Sequence, residues 1–370
     1  MRRAGSGDAE QRGAPDGWAP PRVRPRRRPA SCPELDCVRH RLPHDLIEAA
    51  ERRALALNVG ADRVLIAAGV MTEDAYVVAL AAYWRVPFEP LDRTPRSACE
   101  LSDAQLIDAD KTGLLPLQVD GERVWVIAPH GLVSRLPIAR EGIRLTSARR
   151  LRQFVMRHGA RELAQRAANG LRSARPELSA ASHGRGPTVG WVIAAAALGI
   201  AAVAFPRAVI AIVSTLLALT FLAWTALRML GAATAWQRWR PARPSELPTY
   251  TIIVALYDEA DAVEGLIAAL RRLDYPPEKL DIKLVLEPDD VRTRDALDRL
   301  VLGPPFEIIV APAGGPRTKP RALNAALVLA RGSYTAVFDA EDRPAPDQLH
   351  RALDVFLAEA RSTACVQARL

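Results

Sequence analysis

Thr251-Ile252-Ile253-Val254-Ala255-Leu256-Tyr257-Asp258-Glu259 is the stretch whose reading decides the fold. Six apolar or β-branched residues have the composition of a strand, and they run directly into a tyrosine and two acids. The same pattern repeats outward from it. Ala262–Leu273 has helical spacing, Ile282–Leu286 is strand-like, Arg292–Leu302 helical, Phe306–Ala311 strand-like, Lys319–Ala330 helical, Tyr334–Phe338 strand-like and Pro346–Ala360 helical. Cys365-Val366-Gln367 is expected to begin one more strand. Alternation at this period predicts an α/β domain with a mostly parallel sheet and helices on both faces. In such sheets a ligand binds at the carboxyl ends of the strands.

Polar clusters fall at those ends. The first strand runs into Tyr257-Asp258-Glu259, the second into Glu287-Pro288-Asp289-Asp290, and the fourth into Asp339-Ala340-Glu341-Asp342. Crowded carboxylates repel one another unless a proton or cation compensates, and hard divalent cations such as Mg²⁺ and Mn²⁺ take carboxylate oxygens while bridging to phosphates. Lys319 follows a Gly314-Gly315-Pro316-Arg317-Thr318 loop at a helix start, a suitable clamp for a diphosphate. The spacing GxxxxGK[ST] is absent, so this is not a P-loop. A nucleotidyltransferase on a similar sheet would carry a Gly-rich loop after the first strand, and Ala255-Leu256-Tyr257-Asp258 has none.

Four stretches, Ile253–Glu259, Leu284–Asp290, Thr318–Leu327 (with its Lys319-Pro320-Arg321-Ala322-Leu323-Asn324 core) and Val337–Asp342, closely resemble in order and spacing the first half of a family 2 glycosyltransferase catalytic domain of the GT-A, Rossmann-like fold. The resemblance covers about 120 residues, from Pro248 to Leu370. It implies that Tyr257 and Glu259 line a nucleotide pocket, that Glu287 lies near the base and Lys319 near the diphosphate, and that Asp339 and Glu341 hold the ribose–diphosphate and its Mg²⁺ or Mn²⁺. Glu341 stands where the family has a second aspartate, which keeps the carboxylate and alters its reach. Implied with these roles are an inverting transfer, a nucleotide-sugar donor (a UDP-sugar first among them) and a polysaccharide or glycolipid acceptor. The family's later general-base and Q-x-x-R-W motifs do not occur, so the expectation is a donor-binding half, inactive alone and cut short at Leu370. Asp258, Asp289, Asp290 and Asp342 are equally readable as solvated loop or capping residues.

Two apolar runs precede this domain: Thr188–Phe205 and Ala208–Leu227, each without a charge. Both are long enough to cross about 30 Å of hydrocarbon as helices, and Pro206-Arg207 reads as the turn between them. Arg161, Arg166, Arg172 and Arg175 lie before them and Arg228, Arg238, Arg240 and Arg243 after, with Trp191, Trp236 and Trp239 at the ends. The positive-inside rule then predicts a two-helix hairpin over residues 188–230, multi-pass in the cytoplasmic membrane, with both chain ends cytoplasmic.

The formal net charge is +8, which raises nucleic acid as a partner. Residues 1–41 hold ten arginines against five acids, so most of that excess sits in a Pro/Arg/Gly-rich tail expected to be disordered, and nucleic acid is set aside in favour of anionic lipid. No cleavable signal peptide is visible. Residues 42–170 read as a small α+β domain and 171–187 as a linker, with the transferase-like part at 245–370. Thr72 is a predicted helix N-cap and Arg123–Ile127 a predicted strand. Arg63–Asp74 with Val86–Leu91 weakly resembles the amino-terminal MshEN-type module of type II secretion and type IV pilus ATPases. Some such modules bind cyclic di-GMP through an R-L-G-x-x-L motif and a later Gln. Gly60-Ala61-Asp62 and Tyr83-Trp84 stand at those places here, which favours an adapter over a cyclic di-GMP receptor. A membrane-tethered scaffold with an inert sheet is therefore the competing function. Cys32, Cys37, Cys99 and Cys365 form neither a disulfide framework nor a CxxC site, and His40, His44 and His130 read as surface or capping residues.

Overall fold

The computed structural model describes residues 32–129, 142–179, 189–234, 246–358 and 363–368. The first 31 residues of the basic tail, His130, and the basic and aromatic residues of 235–245 lie outside the described residues.

The amino-terminal part contains helices α1 (His44–Leu57), α2 (Ala61–Ala67), α3 (Glu73–Trp84) and α4 (Asp103–Thr112). Strands β1 (Leu114–Val119), β2 (Glu122–Ile127) and β3 (Ile143–Leu145) follow, then α5 (Ala148–His158) and α6 (Ala160–Ala174). The Thr72 hydroxyl accepts from the Ala75 amide at 3.1 Å, so the predicted cap starts α3. β2 lies where the alternation placed a strand and is the middle of a sheet ordered β1-β2-β3. Two sequence expectations need correction. The tail does not run to residue 41: Cys32, Leu35, Cys37 and Val38 are buried against α1, α2 and α3. A short Pro33–Leu35 turn puts Glu34 under α2, where its carboxylate accepts the Ala61 amide at 2.9 Å and its carbonyl accepts the Tyr76 hydroxyl at 2.9 Å. Four apolar side chains anchor a segment whose average composition is that of a coil. The linker also starts later than residue 171, because α6 continues to Ala174 and a turn follows at Pro176–Leu178.

Helices α7 (Val189–Ala204) and α8 (Pro206–Thr234) contact each other, and their apolar side chains are exposed. Pro206 opens α8 rather than a turn, because the first helical position needs no amide donor. Among the described residues one helix, Pro206–Ala232, is long and apolar enough to cross a membrane, and none of it is buried in the protein. The described 16 residues of α7 rise about 24 Å, short of about 30 Å of hydrocarbon, so the expected pair of equal spans is replaced by one long and one short helix.

The carboxy-terminal part is the predicted alternation: β4 (Tyr250–Leu256), α9 (Val263–Arg271), β5 (Leu280–Leu286), α10 (Val291–Arg299), β6 (Phe306–Val310), α11 (Lys319–Val328), β7 (Tyr334–Phe338) and α12 (Gln348–Ala358). All four strands are parallel, in the order β6-β5-β4-β7. Residues 363–368 contain no strand, against the expectation for Cys365–Gln367.

Successive side chains alternate across the sheet. Ile252, Val254, Leu256, Ile282, Leu284 and Leu286 join Leu266, Leu297 and Leu349 of α9, α10 and α12 in one core. Ile253, Val285 and Ile309 face the other way. There they share a single core with Ala322 and Ala326 of α11 and with Leu106, Leu151, Phe154 and Leu163 of the amino-terminal module. The module is thus the outer layer of the sheet. A charge network crosses the same interface. Buried Arg152 (α5) donates to both Asp110 carboxylate oxygens at 3.0 and 3.1 Å and also meets Glu307 of β6. Lys283 reaches Glu307 at 2.9 Å and Asp281 at 3.1 Å, and Asp281 also accepts from Arg331 and Thr251. Burial pushes the Glu307 carboxyl up, but Arg152, Lys283 and Arg331 outweigh it and hold it low. On the module's far side Arg53 pairs with Glu278, and Asn58 donates to Glu246 at 3.1 Å.

Candidate functional site

β4 is the first strand of its sheet in the chain. β5 and β6 are laid on one side of it and β7 on the other, so the strand order reverses between β4 and β7. Chain connections leave in opposite directions there and open a crevice at the carboxyl ends. Tyr257 emerges from β4 with 59% of its surface exposed, and Asp258 adopts φ 57°. That bend is held from the start of α10. The Asp258 amide donates to Asp290 Oδ2 at 2.8 Å, and the Glu259 amide donates to Thr293 Oγ1 at 2.9 Å. Asp290 also caps α10, accepting the Thr293 amide on Oδ1 at 3.0 Å. Burial opposes its charge, yet these hydrogen bonds keep the carboxyl below its ordinary value. Asp290 is therefore a structural cap.

On the other side of the crevice Lys319, the first residue of α11, pairs with Asp339 at the tip of β7. The Asp339 amide donates to Asp342 Oδ2 at 2.7 Å, folding the Asp339–Asp342 segment into a turn that leaves Glu341 exposed. Asp342 is thus also a turn residue. Two more exposed pairs flank the crevice: Arg292 with Asp258 at 2.7 Å and Arg317 with Asp289 at 2.6 Å. Exposed pairs of this kind are worth about 0–1 kcal/mol each. Their partners are cheap to exchange, and a phosphate-bearing ligand arriving with a cation could take Lys319, Arg317 and Arg292 from their carboxylates.

Glu287 is buried, and Arg321 donates to both of its carboxylate oxygens at 3.1 and 2.8 Å. Arg321 also donates to the carbonyls of Pro312 and Gly314 at 2.6 and 2.8 Å. Glu287 forms no three-ligand metal cluster with Asp339 and Glu341 among the described residues. Its charge is met by a guanidinium 34 positions later. The sequence reading passed over Arg321, Arg317 and Arg292. Arg321 had a signal: with Ala322, Ala325 and Ala326 it lies on the buried stripe of α11, where an arginine must have a fixed partner.

Among the described residues no group of three or more His, Cys, Asp or Glu side chains is arranged to hold a metal ion. Asp339 and Glu341 supply two hard oxygen donors. Mg²⁺ and Mn²⁺ are commonly held by one or two carboxylates with substrate phosphates completing the shell, so these residues fit such a cation bound together with its ligand. A cavity of about 360 Å³ lies beside the crevice between α9 and α10, lined by Asp261, Glu264, Arg292, Asp295 and Arg299.

No curated protein matches the chain. Among solved structures it is similar to the mannosyltransferase PcManGT from Pyrobaculum calidifontis in complex with GDP-Man and Mn²⁺, at 29% identity over 40% of this chain and 44% of that one, TM-score 0.33. It is also similar to residues 1–349 of S. aureus TarS in complex with UDP-GlcNAc, at 22% identity over 29% of this chain and 31% of that one, TM-score 0.26. The chain spans less than half the length of either. The part that forms the parallel sheet and its crevice, residues 251–370, matches the family described as Glycosyl transferase family 2.

Proposed function

We propose that the carboxy-terminal sheet binds a nucleotide-sugar and transfers its sugar to a saccharide or lipid acceptor at a membrane surface. The crevice between β4 and β7, where Lys319 reaches Asp339 beside the exposed Tyr257, carries this reading. Tyr257 and Glu259 border the nucleotide, and Lys319 engages the diphosphate with Arg317 nearby. Glu287, paired with Arg321, forms the floor of the site near the base. A divalent cation held by Asp339 and Glu341 would offset negative charge on the departing diphosphate. Lys319, carried at a helix start, stabilises the same charge once it exchanges Asp339 for the diphosphate. Inversion follows when the acceptor hydroxyl attacks from the opposite side.

The shared core favours this reading over a scaffold whose module works apart from an inert sheet. It also bears on the membrane. Leu163 and Ile253, on either side of the apolar segment, share one core, which supports the reading that both ends of that segment lie on the same side of a bilayer. One crossing by α8 alone would separate them. The segment therefore enters and returns, with α7 part of the return and the arginine-flanked ends cytoplasmic.

Titration calorimetry of the full chain in detergent with UDP and with GDP, with and without Mn²⁺, tests the donor reading. Binding that needs Mn²⁺ and is lost in Asp339→Asn is expected. No binding of either nucleotide, or Asp339→Asn binding like the parent, would sink it.

A further inference from the structure

The loop that ends in Lys319 is held by the amino-terminal module. Residues 313–320 are exposed, and Gly314 and Gly315 in succession have φ of 116° and 74°. Two glycines in left-handed conformations give a chain many alternatives, so the observed path needs outside support. Part of it is Arg321, which binds the carbonyls of Pro312 and Gly314 from below. The rest is α6. A Cβ added at Gly314 would meet Ala164 Cβ at 3.8 Å, and one at Gly315 would meet Ala168 Cβ at 3.5 Å. The loop therefore passes Ala164 and Ala168 with about the room of one methyl group between them. One turn into α11, the Asn324 side-chain amide donates to the Ala167 carbonyl of α6 at 3.0 Å. That carbonyl is in a helix interior and spares only its second lone pair.

We infer that α6 is the wall that fixes the 312–318 loop, making Ala164 and Asn324 positioning residues that set Arg317 and Lys319 for a nucleoside diphosphate. The donor half of this assignment rests on the function proposed above. The support itself follows from contacts between α6 and the loop. Larger side chains at 164 and 168 would enter the space beside Gly314 and Gly315, and Asn324 ties α11 to the module. The module thereby gains a role that neither an adapter nor a ligand receptor would have: it shapes the anion-binding edge of a sheet that lies beyond the apolar α7–α8 stretch in the chain.

Limited trypsin digestion of the full chain in detergent reads the loop directly, with cleavage after Arg317 followed by mass spectrometry. Mn²⁺-dependent UDP and GDP binding is measured in parallel. Asn324→Ala and Ala164→Leu are expected to speed cleavage at Arg317 tenfold or more and to weaken nucleotide binding about tenfold, with the melting temperature unmoved. Gln165→Ala, on the exposed side of α6, should behave as the parent. Cleavage within twofold of the parent in both variants overturns the assignment. Should Ala164→Leu misfold, Asn324→Ala decides, since it removes one hydrogen bond at an exposed position. Faster cleavage in variants of a parent that binds neither nucleotide overturns the donor role, and in that case the failure lies with the site and shows in the parent itself.

Discussion

The Arg321 guanidinium grips both carboxylate oxygens of Glu287 in a buried contact, tying the first turn of α11 to the tip of β5. Removing one member leaves the other buried and unpaired, which costs about 3–5 kcal/mol. Arg321→Ala is expected to lower unfolding stability by that amount in urea titrations. The Arg321→Ala/Glu287→Ala double variant should recover a substantial part. Purely additive losses would show that the two groups do not depend on each other.

Asp62 sets a pH dependence. Burial, then the nearby Glu34 carboxylate, pushes its carboxyl from the ordinary 3.8 up to about 6, and Oδ1 has no hydrogen-bond partner among the described residues. Between those values the folded chain holds a proton that the unfolded chain has released. Stability therefore falls as pH rises from about 4 to about 6. Asp62→Asn should raise stability at pH 7 by on the order of 2 kcal/mol and change little at pH 4. Thermal melts at the two pH values check it.

At the crevice, Lys319→Ala should weaken Mn²⁺-dependent UDP or GDP binding about tenfold, as expected from losing one charge-assisted hydrogen bond of about 1.5 kcal/mol. Its melting temperature should hardly move, because the pair with Asp339 is exposed on both sides. A large stability loss with unchanged nucleotide affinity would reverse the roles assigned to this lysine.

Gly332 is the point of closest approach between the start of β7 and β4. A Cβ there would stand 2.8 Å from the Thr249 carbonyl oxygen and collide with the Thr251 amide nitrogen. These are backbone atoms and cannot swing aside. Gly332→Ala should cost about 1–3 kcal/mol in a denaturation experiment, the usual penalty of overpacking.

The four parallel strands were legible because each is a compact apolar run between turn residues, and Tyr334–Phe338 emerges with the predicted bounds. Lys319 and Asp339 could be named because both sit at element ends, where topology alone brings them together. The Arg321 partner of Glu287 was not legible because it depends on how α11 lies on the sheet, which no local pattern encodes. The ordered Cys32–Val38 segment was hidden by the arginines and prolines around it. Pro206-Arg207 read as a turn because a proline with a charge has that look, yet proline is equally at home opening a helix.

The core that Phe154 and Leu163 build with Ile253 and Val285 is interrupted in the chain by the whole apolar α7–α8 stretch. During synthesis the earlier half must wait, its greasy side uncovered, until the membrane-type helices have been made and the strands beyond them emerge. On the membrane reading proposed above, insertion into lipid and closure of the folded body are coupled in time. A gene fragment ending before Tyr250 would yield a sticky, half-sealed product rather than an independent domain.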